Sequence, residues 1–322
     1  MSSSSPLSDA LVTILGGSGY IGNYVAQALL ARGSRVRIAS RNPEKGWPLK
    51  PLANLGQLQF AHCDITNEES LKASLHGATH VVNLVGDFAG NLTKLMGEAP
   101  GQIATIAKAN GVEALVHVSA IGPDANSTAE YARAKALGEE NVFSAFPKAT
   151  VLRPSIVFGK DDNFINMFAG MIEMLPALPV FGPDAKMQLV FADDVAEAVA
   201  VALEDPEAHG GHTYELGGPE QLSMLEINER IAQAQGRNRR FIAMSDGMSG
   251  LFAAMPLTPM SRDQWTLLKA GSVVSGETRT FADLGIKPKP LGLFLDKWMT
   301  RYRKFGRFGL SNERTKERES AN

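Results

Sequence analysis

The sequence predicts an α/β fold in which a doubly wound parallel sheet forms the main domain and a small C-terminal α/β lobe follows it. Short apolar runs alternate with helix-like segments through the first half of the 322-residue chain, a pattern typical of parallel strands joined by crossover helices. Beyond residue 155 the pattern changes to Met-, Pro- and Gly-rich segments. We therefore expect a core domain at 10–155 and an intertwined lobe at 156–310, with disordered ends at 1–9 and 311–322.

Each predicted strand of the core is an apolar run too short for a helix, and each predicted helix carries apolar residues three and four positions apart. The predicted strands are 12–15, 35–40, 59–64, 79–86, 114–119 and 150–154. The predicted helices are 23–30, 68–75, 101–110 and 130–145. In the lobe we predict helices at 164–175 and 194–204 and a strand at 188–191, and we expect the strand and helix near 188–204 to return to the core.

A glycine-rich turn follows the first strand. Gly16, Gly19 and Gly22 are spaced three apart, and a helical segment follows at once, which is the context that a dinucleotide-binding motif requires. Gly16 permits a sharp exit from the strand, Gly19 lets the backbone approach a pyrophosphate, and Gly22 lets the helix pack closely on the sheet. The first N–H groups of the helix and its dipole would face the phosphates. The predicted cofactor contacts in this Rossmann-type turn are Gly16, Gly17, Ser18, Gly19, Tyr20, Ile21 and Gly22.

The end of the second strand indicates which nucleotide the turn binds. A carboxylate there would accept hydrogen bonds from the ribose 2′-OH and favour NAD(H), but the sequence has Ser40 and Arg41, with no carboxylate before Glu44. A cation beside hydroxyl and amide groups suits a 2′-phosphate. NADP(H) is therefore favoured and NAD(H) is the alternative, in which Arg41 is a solvated surface cation.

Two further strand ends supply weaker candidates. Asp64, followed by Ile65, could accept a hydrogen bond from the adenine amino group, although an Asp at a strand end also commonly forms a turn. Asn83 and Gly86 close the fourth strand, where a small residue would keep the cavity wall near the cofactor. Both assignments rest on position in the predicted sheet.

Ser119, Tyr131 and Lys135 form a candidate catalytic set. Tyr131 and Lys135 are four residues apart in a helical segment, so they share one face, and Ser119 ends the preceding strand. A Lys ammonium would lower the pKa of the phenol and hold the nicotinamide ribose, while Ser119 would hold a substrate carbonyl. The set would place a proton donor or acceptor beside a hydride carrier. The alternative is a surface Tyr and Lys on an amphipathic helix.

Together, these residues and the glycine motif resemble the short-chain dehydrogenase/reductase superfamily, in its extended or atypical branch. Segments 152–159 and 190–196 look like landmarks of that branch, and the resemblance covers about residues 10–300. It implies that the first segment passes the nicotinamide, with Pro154, Ser155 and Val157 as cofactor contacts, and that the second belongs to the C-terminal lobe.

Residues 131–166 are similar to the nucleotide-binding accessory subunits of respiratory complex I and their bacterial relatives. This resemblance implies tightly held NADP(H) and association with the respiratory chain and quinone metabolism, without established turnover. An active NADPH-dependent oxidoreductase that reduces a quinone precursor or another hydrophobic carbonyl compound stays open as the alternative. So does a nucleotide-sugar epimerase or dehydratase.

The C-terminal segment 298–310 interleaves aromatic and basic residues, although the whole chain carries a formal net charge of −2. Such a segment suits an anionic membrane surface or an acidic partner, here the subunits of complex I. The alternative is a solvated helix whose aromatic side chains pack on the protein. A nucleic-acid partner is not expected, because no binding module accompanies the segment.

Composition excludes several classes of protein. The single cysteine, Cys63, allows no disulfide within the chain and fits a reducing compartment. The histidines lack metal-ligand spacing, so we expect no metal site. The sequence contains no Gly-x-Ser-x-Gly elbow, so a serine hydrolase is not supported. The Ser-rich start resembles neither a signal nor a transit peptide. We expect a cytoplasmic protein, peripheral on the cytoplasmic face of the inner membrane if bacterial, or on the matrix side if it is a mature eukaryotic form.

Overall fold

The computed structural model describes residues 5–254, 261–304 and 306. In chain order the strands are β1 (Leu11–Leu15), β2 (Arg35–Ser40), β3 (Leu58–His62), β4 (His80–Asn83), β5 (Ala114–Val118), β6 (Thr150–Pro154), β7 (Val157–Phe158), β8 (Ala177–Val180), β9 (Lys186–Met187), β10 (Val190–Phe191), β11 (Thr213–Leu216), β12 (Leu222–Ser223) and β13 (Arg240–Ala243). The α-helices are α1 (Tyr20–Ala31), α2 (Glu68–Leu75), α3 (Ala99–Ala109), α4 (Glu130–Ala145), α5 (Asn163–Met174), α6 (Ala192–Glu204), α7 (Pro206–His209), α8 (Met224–Ala234), α9 (Asp246–Ala254), α10 (Arg262–Ala270) and α11 (Gly292–Trp298). A π-helical segment spans Thr93–Glu98, and 3-10 helices span Pro43–Leu52, Phe281–Leu284 and Met299–Tyr302.

The central sheet of the described residues has seven strands in the order β11-β6-β5-β4-β1-β2-β3. Every neighbouring pair in it is parallel. The chain proceeds from β1 outward to β3 and then resumes on the other side of β1 with β4. At such a reversal the carboxyl ends of the strands border a crevice, where open α/β sheets bind ligands. The predicted doubly wound parallel fold is confirmed.

Helices cover both faces of this sheet. Strand β1 is buried at all five positions, as a parallel strand between two helical layers must be. On one face Ile14 packs with Val25 and Leu29 of α1 and with residues of α6. On the other face Leu15 packs with residues of α2 and α3. Helix α6 therefore returns to the core, although it follows the first strands of the lobe in sequence.

The C-terminal lobe has an apolar core of its own. Buried side chains of α5, α8 and α11 meet there, and three pairs of short strands, β7 with β10, β8 with β13 and β9 with β12, border it. The strand predicted at 188–191 is confined to β10, and the helix predicted at 194–204 begins two residues earlier, at Ala192. The lobe lies against the carboxyl ends of the core strands through contacts described with the site below.

The described part of the N-terminus contacts the core. Residues 6–9 form a turn, Leu7 is buried in the main core, and Ser5 Oγ donates a hydrogen bond of 2.8 Å to Glu204 of α6. The rest of the predicted disordered ends, 1–4 and 311–322, lies outside the described residues. Within the described part of the chain no helix is long and apolar enough to cross a bilayer, and no group of His, Cys, Asp and Glu side chains could hold a metal ion.

Candidate nucleotide-binding site

The glycine turn connects β1 to α1 through backbone hydrogen bonds. Gly16 has a φ of +78°, the left-handed region that favours glycine. Its N–H donates to the carbonyl of Ala39 on β2 at 2.8 Å, and the N–H of Gly19 donates back to the carbonyl of Gly16 at 2.9 Å. Main-chain hydrogen bonds therefore close the turn and join it to β2.

Two further glycines are required by close packing. A Cβ added at Gly22 would lie 2.5 Å from the carbonyl oxygen of Gly17, and one added at Gly17 would lie 2.9 Å from the carbonyl oxygen of Ile14. The N-cap residue of α1 is Gly19, which is exposed and provides no side-chain cap. The first N–H groups of the helix thus stay available to an anion, and the cradle fits a dinucleotide pyrophosphate.

The end of β2 meets the glycine turn where the adenosine half of a nucleotide would lie. The hydroxyls of Ser18 and Ser40 share a hydrogen bond of 2.8 Å, and Arg41 follows with an exposed side chain. Hydrogen bonds from the backbone and side chain of Thr66 lower the pKa of the Asp64 carboxyl, and the charge of Arg41 adds a smaller effect. The structure thus brings Ser18, Ser40, Arg41 and Asp64 to one corner.

Asp64 itself has a structural role. Its Oδ1 accepts hydrogen bonds from the N–H and the hydroxyl of Thr66, at 2.9 and 2.8 Å. This is the turn-forming role that the sequence left open beside the adenine contact. The neighbouring Ile65 is buried in the core between the sheet and α2.

Asn83 lies beneath the crevice. Its side chain is buried, its Nδ2 lies 3.0 Å from Nδ1 of His117, and its Oδ1 accepts the N–H of Val85 at 3.1 Å. Gly86 lies at the crevice itself, because a Cβ at this position would be 3.5 Å from Nζ of Lys135. Asn83 therefore supports the cavity wall, and Gly86 leaves space beside the ammonium group.

The structure places Lys135 and Ser119 at the inner end of the crevice with unused polar atoms. Lys135 is 3% exposed, and its Nζ donates to the carbonyl of Val118 at 3.3 Å. An ammonium group has three N–H donors. Ser119 is 5% exposed, and its Oγ has no hydrogen-bond partner among the described residues. Because buried polar groups are costly unless they are paired, these donors fit a ligand with hydroxyl or carbonyl oxygens.

Tyr131 is covered by an aromatic ring. The ring of Phe88 stacks on it at 4.4 Å between centroids, with 13° between the planes. Burial raises the pKa of Tyr131 to about 12. The predicted lowering of this pKa by Lys135 is therefore wrong: desolvation dominates, and Nζ of Lys135 lies 5.8 Å from the centroid of the Tyr131 ring. The phenol therefore stays protonated at neutral pH.

Charged and titratable residues that the sequence analysis missed surround Lys135. Burial lowers the pKa of Lys135 to about 8, and the charge of Glu139 opposes this fall. His117 is fully buried, and burial together with the charge of Lys135 lowers its pKa to about 3. The spacing of Glu139, one helical turn after Lys135, was the signal that could have identified it.

Ser155 joins the core to the lobe. Its hydroxyl lies 2.9 Å from both the carbonyl oxygen and the hydroxyl of Ser272. Pro154 accepts the N–H of Ile121 at 3.1 Å through its carbonyl, and Val157 pairs with Val190 in the β7–β10 ladder. The Ser155 hydroxyl is therefore already hydrogen-bonded to the lobe.

Comparison with known proteins identifies the family. Residues 12–217 match the model described as the NAD dependent epimerase/dehydratase family. The chain belongs to this family. The matched range contains the glycine turn, Ser119, Tyr131 and Lys135, and it confirms the resemblance inferred from them.

Relatives that match nearly the whole chain include mitochondrial proteins named NADH dehydrogenase [ubiquinone] 1 alpha subcomplex subunit 9. The Arabidopsis thaliana protein is 30% identical over 94% of this chain and 80% of its own length. The Mus musculus protein is 29% identical over 99% of this chain and 87% of its own length.

Solved structures share the fold at lower identity. Triphenylmethane reductase from Citrobacter superimposes with a TM-score of 0.73 at 19% identity, over 89% of this chain and 99% of that one. An NADPH-dependent quinone oxidoreductase from Escherichia coli, solved with NADPH, superimposes with a TM-score of 0.71 at 20% identity, also over 89% of this chain and 99% of its own.

The C-terminal segment of this family member packs on the lobe where it is described. Trp298 stacks on Phe294 at 5.0 Å, Arg301 donates to the carbonyl of Lys160 at 2.9 Å, and the Tyr302 hydroxyl donates to Asn166 at 3.0 Å. In this part of 298–310 the aromatic side chains pack on the protein, which was the alternative interpretation. Residues 305 and 307–310 lie outside the described residues.

Proposed function

We propose that this protein is an accessory-subunit-like protein of respiratory complex I that holds NADP(H) tightly in the crevice described above. The extent of the similarity carries the proposal. The 30% identity to the Arabidopsis subunit covers 94% of this chain, so it includes the C-terminal lobe as well as the glycine turn. A dinucleotide-binding module shared by unrelated enzymes would not require similarity in the lobe.

The choice of NADP(H) within this proposal rests on the corner formed by the turn and β2. The paired hydroxyls of Ser18 and Ser40 and the exposed guanidinium of Arg41 offer donors and a positive charge. Both suit a 2′-phosphate. No carboxylate precedes Glu44 after this strand, whereas a ribose 2′-OH is usually bound by one.

Tight retention would depend on the inner end of the crevice. The spare N–H donors of Lys135 fit the hydroxyls of the nicotinamide ribose. They lie in a buried place where water does not compete, which strengthens a hydrogen bond. We propose that the protein acts beside complex I at the inner membrane, as a peripheral protein on the cytoplasmic side in a bacterium or the matrix side in a mitochondrion.

Copurification tests this proposal. The full chain, tagged in its native cell, is extracted from membranes in mild detergent, and the nucleotide released on denaturation is identified by mass spectrometry. We expect subunits of complex I in the eluate and NADP(H) that does not exchange with added labelled NADPH. Rapid exchange together with no complex I subunits would contradict the proposal.

A second candidate function is an NADPH-dependent reductase, and the inner end of the crevice favours it. A bound nicotinamide would supply a hydride. The Ser119 hydroxyl, buried and without a partner among the described residues, would then hold the substrate carbonyl oxygen. Tyr131, with a pKa of about 12, stays protonated at neutral pH and would donate the proton.

Replacing one phenol tests the reductase candidate. NADPH oxidation is followed against a panel of quinones and hydrophobic carbonyl compounds for Tyr131→Phe and for Tyr302→Phe, which removes a phenol that hydrogen-bonds Asn166 in the lobe. If the reductase candidate is right, Tyr131→Phe should lose about 100-fold or more of the rate and Tyr302→Phe should keep it. An equal rate in both variants would rule out Tyr131 as the proton donor.

A further inference from the structure

A buried carboxylate lies one helical turn after Lys135. Glu139 is 5% exposed, and it points from α4 toward the sheet, where Arg153 of β6 binds it. Arg153 donates from Nε to both carboxylate oxygens, at 3.0 and 3.1 Å, and from Nη2 at 2.6 Å. Such a multidentate pair fixes the carboxylate in one orientation.

The ion pair continues to the neighbouring strand of the central sheet. Nη1 of Arg153 lies 3.7 Å from the carboxylate of Glu215 on β11, which is also buried. Glu215 Oε2 accepts the N–H of Ser275 at 2.6 Å. From the crevice outward the charges therefore alternate in sign through Lys135, Glu139, Arg153 and Glu215, and the last of them is bound by the lobe.

Lys135 needs a counter-charge in this place. Within the described part of the chain, the titratable groups that face it are Tyr131 and Glu139 on its own helix and His117 on β5. Tyr131 and His117 are both neutral at pH 7, because their pKa values are about 12 and about 3. Among these groups Glu139 alone provides a negative charge, and it opposes the fall in the Lys135 pKa that burial causes.

We propose that Glu139 is a positioning residue that holds Lys135 as an ammonium ion for the nucleotide, with Arg153 as a second cation that competes for the same carboxylate. This inference rests on the proposed binding of NADP(H) at the crevice. A neutral amine at Lys135 would have one N–H fewer and no charge to offer a ribose. Glu139 thus acts on the nucleotide through Lys135 rather than by contact.

The titration of Lys135 tests the role of Glu139 directly. The ¹³Cε resonance of Lys135 is followed against pH in the full chain without nucleotide, assigned by its loss in Lys135→Arg. In Glu139→Gln the pKa of Lys135 should fall by about one pH unit or more. Glu140→Gln, the adjacent exposed carboxylate on the same helix, should leave it unchanged. If Glu139 served only to bind Arg153, its loss in Glu139→Gln would loosen the helix and admit water to Lys135. The pKa of Lys135 would then rise toward its ordinary value of 10.5.

Arg153→Met should shift the pKa of Lys135 in the opposite direction. It also allows the proposal to be tested if Glu139→Gln does not fold. The substitution removes a positive charge, so the carboxylate of Glu139 then has Lys135 as its only cation within the group described above. The pKa of Lys135 should therefore rise in Arg153→Met, whereas it should fall in Glu139→Gln. A pKa that stays constant or falls in folded Arg153→Met would overturn the proposal. Circular dichroism and thermal melting establish that each variant is folded before titration.

Nucleotide affinity supplies a separate readout. The Kd for NADPH, measured by nicotinamide fluorescence, should begin to weaken near pH 8 in the wild-type chain and about one pH unit lower in Glu139→Gln. Absence of NADPH binding at any pH would defeat the proposed function, yet the titration of Lys135 would still decide the role of Glu139. Binding whose pH dependence is the same in both chains would defeat the role of Glu139 alone.

Discussion

The two ends of the crevice offer different chemical groups to the proposed nucleotide. The turn end, at Gly16–Gly22 and Arg41, consists of main-chain groups and one exposed cation, closed by short-range hydrogen bonds. The inner end, at Ser119, Tyr131 and Lys135, consists of buried side chains whose protonation depends on their surroundings. We therefore expect nucleotide binding to depend on backbone shape at the glycines of the turn, and on the protonation of buried side chains at the inner end.

The turn end should fail completely when its shape changes. In Gly22→Ala the new methyl group would lie 2.5 Å from the carbonyl oxygen of Gly17, a backbone atom that cannot move aside without opening the turn. We expect a loss of about 3 kcal/mol in the free energy of unfolding and more than about 100-fold in NADPH affinity, measured by urea denaturation and fluorescence titration.

A matched glycine separates this effect from helix propensity. Gly170 also lies within a helix, α5, and a Cβ there would meet no atom within 4 Å. Gly170→Ala should therefore stabilise the protein slightly, by up to about 1 kcal/mol, and leave NADPH affinity unchanged. Similar losses in both variants would show that packing at Gly22 is not the cause.

The inner end should instead respond to pH. His117 has a pKa of about 3 in the folded chain against 6.5 when exposed, so between these values the unfolded chain binds more protons and stability falls as the pH falls. We expect a loss of roughly 2–3 kcal/mol in the free energy of unfolding from pH 6.5 to 4.5. In His117→Gln, which still offers Asn83 an acceptor, most of this loss should disappear.

The control is His62, an exposed residue at the end of β3. His62→Gln should show the same acid-induced loss of stability as the wild-type chain. If His117→Gln behaves like His62→Gln, then the buried imidazole does not set the acid sensitivity, and carboxylates elsewhere do.

The same contrast explains what the sequence could predict. The glycine turn and the order of the core elements follow from local patterns, since a turn that needs glycine uses glycine and a buried parallel strand is a short apolar run. The spacing of Tyr131 and Lys135 on a helix, with Ser119 at a strand end, also predicted the candidate catalytic set. The sequence analysis assigned the wrong direction to the Tyr131 pKa, because the ring that covers Tyr131 comes from a separate loop.

Contacts between distant residues were beyond sequence reasoning. The Glu139–Arg153 pair joins a helix to a strand, and Ser155 bonds Ser272, which is 117 residues away. No local pattern specifies either pairing, because the first arises from packing α4 on the sheet and the second from packing the lobe on the sheet. The charge state of the inner end is therefore a property of the tertiary fold.

Arg41 should show a smaller and more selective effect than the glycines. Because its side chain is exposed, Arg41→Ala should leave stability unchanged and weaken NADP(H) binding by about 10–100-fold, the value of one charge-assisted contact, with little effect on NAD(H). Arg35→Ala, at the opposite end of the same strand, should affect neither nucleotide. Equal losses for NADP(H) and NAD(H) in Arg41→Ala would contradict the 2′-phosphate assignment.

The smallest effect concerns the cover over the inner end. Phe88 is 55% exposed, yet one face of its ring stacks on Tyr131. Removing it in Phe88→Ala should admit water to the phenol, so the pKa of Tyr131 should fall from about 12 toward its ordinary value of 10.0. The change is measured by the Cζ resonance of Tyr131 in alkaline titration.

Trp47→Ala removes an equally exposed ring, 56%, from the region after β2 and should leave the Tyr131 pKa at about 12. If the pKa of Tyr131 also stays at about 12 in Phe88→Ala, the core elements alone desolvate the phenol. The protonation of the inner end would then depend on the core of the fold, as the shape of the turn does.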